Sequence, residues 1–162
     1  MIEIIVATLV AFLALHHLIY AIQNLFNLEQ AYNCVEAVFG QREAPLYPRS
    51  MMPPVRSPVL LWAALTVIIA AEFAAGLALA VGAVQMFMAG GGSPADFAAA
   101  TEWAQIGCGI TLLIWFGLFL TIASAMFQMW QIELGPGAMQ GAFHSGVFSG
   151  LVMLILLFLP TV

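Results

Sequence analysis

Lysine is absent from this 162-residue chain, arginine occurs three times and cysteine twice, and the formal charge is -5. A polybasic surface that could dock an anionic lipid sheet or neutralise a phosphate backbone is therefore missing, and nucleic acid is excluded as a partner. Charged residues of either sign make up only 7% of the chain, against roughly 25% in a soluble domain. With so little polar surface, water is not the solvent in which this chain folds. Two cysteines are too few for a disulfide framework. Cys34 falls in a connecting segment and Cys108 in an apolar run, so both are expected as packed thiols and not as a bridge. Also missing are a glycine-rich phosphate loop, a nucleophile elbow, a cysteine–histidine cluster and paired metal carboxylates. No catalytic residue and no metal ligand is indicated, and the expectation is a protein that is not an enzyme.

What the chain has instead is apolar length: 64% of its residues are hydrophobic. They are concentrated in four runs, Ile2–Phe26, Val59–Met88, Trp103–Met129 and Phe143–Leu159, each about as long as a helix needs to cross a hydrocarbon core of ~30 Å. The first run lacks a basic start, carries Glu3 and is too long for the core of a signal peptide, so it reads as the first span. The prediction is an all-α membrane protein, a single transmembrane domain over residues 1–162. Its four transmembrane helices form an up-down-up-down bundle in contact with the lipid bilayer. Gly90–Pro94 and Gly135–Pro136–Gly137 supply the turns before the third and fourth spans. Trp62, Trp103 and Trp130 stand at span ends, as interfacial aromatic belts do, and Trp103 to Trp130 measures ~40 Å on a straight helix.

The connection from Asn24 to Pro58 carries structure of its own. Asn27 suits an N-cap with Gln30 placed to reach back, and Gly40 suits a C′ position. Between them Leu28, Ala31, Tyr32, Val35, Val38 and Phe39 recur at helical spacing. An interfacial amphipathic helix over 27–39 is expected, with Tyr32, Val35 and Phe39 buried. Its polar side is acidic, which suits packing on protein better than resting on anionic lipid. Pro45, Pro48, Pro53, Pro54 and Pro58 then impose an extended strap. Arg42, Arg49 and Arg56 all lie in this connection, and the positive-inside rule places it in the cytoplasm with both termini outside.

Inside the spans a few residues stand out. Glu72, near the centre of the second span, costs several kcal/mol in hydrocarbon unless it is protonated or paired. Thr121, Ser124, Gln128 and Gln131 fall on one face of the third helix and suggest interhelical hydrogen bonding or a small wet cavity. Gly76 and Ala80 on the second span, with Gly146 and Gly150 on the fourth, are small residues that let helices approach closely. They serve the bundle's own packing or a neighbouring subunit, and so small a protein has more such faces than it can bury. His16, His17 and His144 are the histidines on which a membrane haem would draw. Counted along their helices they lie at different depths, which disfavours haem; quinone or lipid contact, or plain hydrogen bonding, fits them better.

Taken in order, Asn24 and Asn27, Tyr32–Asn33, the Val35/Val38 segment, Arg56–Ser57–Pro58, Glu72, Met129–Trp130–Gln131 and Ala142–Phe143 resemble the bacterial predicted small integral membrane proteins known only as a domain of unknown function. The resemblance covers nearly the whole chain. It departs in two places: Ser124–Ala125–Met126–Phe127 stands where the family has Gly-Glu-Trp-Phe, and His144 where it has arginine. The resemblance implies a multi-pass protein of the bacterial inner membrane, with basic residues placed so as to favour the opposite orientation, and it implies no reaction.

These readings together suggest a non-catalytic accessory subunit of a larger inner-membrane complex, respiratory or photosynthetic, whose partners are other integral membrane subunits and lipid. Two alternatives are a small transporter or channel using Glu72 and the polar face of the third helix, and a haem- or quinone-binding electron carrier using the histidines. No resident cofactor is expected.

Overall fold

The structure is a computed structural model that describes residues 1–41 and 46–158. Arg42, Pro45 and Leu159, which figured in the sequence reading, lie outside the described residues. Helix α1 runs Ile2–Phe26, α2 Leu28–Gly40, α3 Pro58–Ala89, α4 Pro94–Ala100 and α5 Glu102–Leu112. The last continues directly into a π-helical segment, Leu113–Met126. A 3₁₀ turn at Met129–Gln131 and α6, Gly135–Phe158, complete the chain. No strand occurs among the described residues, and four helical stretches are long and apolar enough to cross a membrane. The fold is the expected all-α, four-span membrane bundle.

Element bounds differ from the sequence reading where local chemistry was stronger than hydropathy. The third span begins at Pro94 and not Trp103, because Ser93 and Asp96 form a capping box: the Ser93 Oγ accepts from the Asp96 N–H, and Asp96 Oδ2 accepts from the Ser93 hydroxyl at 2.6 Å. The same span does not reach Trp130 as a straight helix. After the π-helical segment, Gln128 turns left-handed at φ 59, and the ~40 Å separation expected from Trp103 is broken there. Gly135–Pro136–Gly137 is no free turn but the first turn of α6, where a proline lacking its N–H is tolerated. Gly135 is required, since a Cβ there would lie 1.8 Å from the Met129 carbonyl oxygen.

Asn27 does not cap α2 through its side chain; its Nδ2 donates to the Gln23 carbonyl at 2.9 Å, because one residue alone separates α1 from α2. Gly40 is the last helical residue, and Gln41 takes the left-handed exit at φ 48. The Gln41 side chain, bonded to Ser50 and to the Met52 carbonyl, offsets that strain. The strap beyond is fastened at both edges. Val55 N–H donates to Phe39 O at 2.8 Å, Tyr47 N–H to Gln131 Oε1 at 2.7 Å, and Gln128 Nε2 to Arg49 O at 3.1 Å.

As its acidic face suggested, α2 packs on protein. Val35 joins Leu61, Leu65 and Ile68 of α3, and Tyr32 stacks on Trp62 with centroids 4.7 Å apart. Cysteine scanning of α2 on a cysteine-free background should show Ala31, Val35 and Val38 protected and Gln30, Asn33 and residue 34 reactive. Uniform labelling along the helix would contradict this packing.

The main core joins α1, α3, α5 and α6 around Val10, Leu79, Met86, Cys108 and Leu156. It depends on close backbone approach. A Cβ at Gly82 would stand 2.4 Å from Ala104 N, one at Gly107 2.9 Å from Leu79 N, and one at Gly76 2.7 Å from Leu18 Cγ. Lipid gives helices no hydrophobic reason to associate, so this contact area is what holds them. Both thiols are free, Cys34 exposed and Cys108 buried.

Candidate functional site

Two polar groupings sit among these apolar helices. The first gathers around Trp115, at the start of the π-helical segment. An indole N–H donates and cannot accept. Trp115 Nε1 therefore donates to His17 Nε2 at 2.8 Å, which places the imidazole proton on Nδ1, and Nδ1 donates to the Leu13 carbonyl at 2.9 Å. His17 is completely buried and both its nitrogens are engaged. One residue earlier, His16 Nε2 pairs with Ser145 Oγ of α6 at 3.2 Å, and Tyr20 packs edge-on against Trp115. His144, beside Ser145, is exposed near Phe143. The structure thus brings His17 to the π-helical segment and His16 to α6 but does not bring His144 to either of them, since neighbouring residues on a helix point in different directions.

The second grouping is Glu72 with Asn24. Glu72 is 1% exposed, and its Oε2 accepts from Asn24 Nδ2 at 2.9 Å. Glu72 stands near the middle of α3, the fifteenth of its 32 residues. α3 has 32 residues, about 48 Å at 1.5 Å per residue, which exceeds a ~30 Å core, so its midpoint need not be the midpoint of the bundle. Glu72 is level with the last turn of α1, which carries Asn24. Gly76 seated on Leu18 fixes that offset.

The polar stripe on the third helix is not a stripe in the fold. In a π-helix backbone hydrogen bonds close at i+5, as Phe127 N–H to Ile122 O at 3.1 Å does at the end of this segment. The wider turn takes Thr121 to the exposed side while Ser124 stays buried against Met139 Sδ at 3.2 Å. Gln128 and Gln131 hold the strap.

Beside Glu72 lies a cavity of about 310 Å³. α2 roofs it, α3 and the π-helical segment wall it, and the first turns of α6 form its far side. Trp115, Phe119, Leu65, Val35 and Val38 make it apolar, with Glu72, Asn24 and Tyr20 as the polar groups. Trp115 and Asn24 were not singled out as site residues from composition and spacing. A signal existed for both: an indole far from either aromatic belt needs an acceptor inside the bundle, and an amide in the last turn of an apolar helix needs a partner.

No three histidine, cysteine, aspartate or glutamate side chains converge to hold a metal among the described residues. Of the small residues proposed for helix packing, Gly76 and Gly146 are buried within the chain. A Cβ added at Gly146 would stand 3.6 Å from Trp115 Cβ and one at Gly150 3.8 Å from Leu112 Cδ2, both ordinary contacts. Gly76 serves the bundle's own packing, one of the two roles expected of these residues, while Ala80 and Gly150 stay half-exposed.

Four apolar spans, a helix roofing a lateral cavity and a buried carboxyl–amide pair define a small polytopic integral membrane protein. Residues 2–160 match a family model described as "Predicted small integral membrane protein (DUF2165)", and the chain belongs to that family. No curated protein and no solved structure matches it.

Proposed function

We propose that this protein is a non-catalytic accessory subunit of a larger assembly in the bacterial inner membrane. One observation carries the reading. Gly76, Gly82 and Gly107 are each required by a close approach inside the chain, whereas a Cβ added at Gly109 or Gly117 meets nothing within 4 Å. Both lie on the third span, either side of the outward-facing Leu113, which is 72% exposed. Glycine in a helix costs roughly 0.5–1 kcal/mol relative to alanine, and nothing in this chain's own packing calls for it there. A helix of another subunit pressed onto that face does call for it, because small residues are what membrane helices use to come close. The mutual engagement of the buried side chains supports the same reading: His17 with Trp115, His16 with Ser145 and Glu72 with Asn24 are joined to each other rather than aimed at a common reacting atom.

Gly109→Leu is the test. It fills open space, so the variant should insert and melt like the wild type, yet the stoichiometric companions seen with wild type in mild detergent should be lost on a native gel. Wild-type protein running alone in several mild detergents would end the subunit reading.

A further inference from the structure

The cavity under α2 has features that the subunit reading does not use. At about 310 Å³ it falls at the lower end of small-molecule sites, roughly 300–1,000 Å³. That volume admits one ring with a short substituent, and not a two-chain lipid. Glu72 lines it, almost wholly buried, with Oε2 accepting from Asn24 Nδ2, and its carboxyl is the one acidic group of the lining among the described residues. No arginine, lysine or histidine lines the space among the described residues. A phosphate or carboxylate head group would therefore meet an acid and no cation, which rejects it. Trp115 and Phe119, with centroids 5.1 Å apart, form an aromatic wall.

The mouth is also informative. The lining residues that are exposed, Tyr20, Cys34, Leu134, Gly137 and Gly141, come from α1, α2, the turn before α6 and its first turns, so the cavity opens between those elements. At Gly137 and Gly141 an added Cβ meets nothing within 4 Å. Glycine there weakens the helix relative to alanine and relieves no contact in this chain. What it provides is an unobstructed passage at the mouth.

We propose that this cavity binds a membrane-soluble amphiphile with a single-ring head group that donates a hydrogen bond and carries no negative charge. The ring lies against Trp115 and Phe119, its O–H or N–H donates to the Glu72 carboxyl, and an aliphatic tail leaves past Gly137 and Gly141 into the bilayer. The proposal goes beyond the subunit reading and does not rest on it, because Gly109 and Gly117 do not line the cavity.

The test uses the whole protein in nanodiscs and three probes that share a ring and a tail: 4-decylphenol, 4-decylbenzylamine and 4-decylbenzoate. Saturable binding of the phenol or the amine is expected, with the benzoate at least about tenfold weaker. A stronger phenol identifies a quinol-like ligand, and a stronger amine a lipophilic amine. Gly141→Leu should abolish binding while leaving the melting temperature in detergent unchanged, and Gly137→Leu serves the same purpose should the first variant misfold. Glu72→Gln should weaken the donor probes on the order of tenfold. Benzoate binding as well as the others, affinity unaffected by both glycine variants, or no saturable binding of any probe would each overturn the proposal. Loss of partners in Gly109→Leu with probe binding intact would separate this site from the subunit face.

Discussion

Gly82→Val should leave little or no folded protein, while Gly109→Val in the same background should be tolerated. At Gly82 the new Cβ would sit 2.4 Å from the backbone nitrogen of Ala104 and 2.8 Å from its Cα. Backbone atoms cannot rotate away as a side-chain tip can. α3 and α5 must separate, and the separation passes to the Leu79–Gly107 contact about one turn along, where a Cβ at Gly107 would stand 2.9 Å from Leu79 N. Overpacking a well-packed site costs typically ~1–3 kcal/mol, and two coupled contacts exceed that. In lipid no hydrophobic term restores the loss. Denaturation in mixed micelles measures it: a Gly82→Val protein as resistant as wild type would mean that α3 and α5 do not meet as described.

Trp115→Phe should destabilise the bundle by about 2–4 kcal/mol, from the loss of part of a buried ring and from leaving His17 Nε2 without its donor. His17 is fully buried, so no water replaces the indole N–H. The informative variant is the pair. Adding His17→Leu to Trp115→Phe removes the stranded acceptor as well, and the double variant should lose less than the sum of the two single ones, by about 1–2 kcal/mol of coupling. Strict additivity would show that the 2.8 Å bond contributes nothing.

The sequence was most legible where a property can be added up along one run of residues. Hydropathy located four spans, and the periodicity of Leu28 to Phe39 located α2 to within a residue or two. It was less legible where two local signals compete. Ser93 and Asp96 extended the third span backwards because a capping box fixes a helix start whatever the hydropathy of the next residues. The stripe from Thr121 to Gln131 failed for a different reason: it assumed 3.6 residues per turn, and the π-helical winding between Leu113 and Met126 re-aims every side chain it contains.

The chain by itself determined its solvent, its class and the number of its crossings, because transfer into hydrocarbon depends on the composition of each run and on little else. Only the tertiary structure decided which polar groups meet. Glu72 pairs with Asn24, and His17 with Trp115, because Gly76 on Leu18 and Gly82 on Ala104 lock the helices at particular offsets along their axes. An offset between two helices is set by the shapes that meet across them, and distance from either helix's own ends carries no record of it.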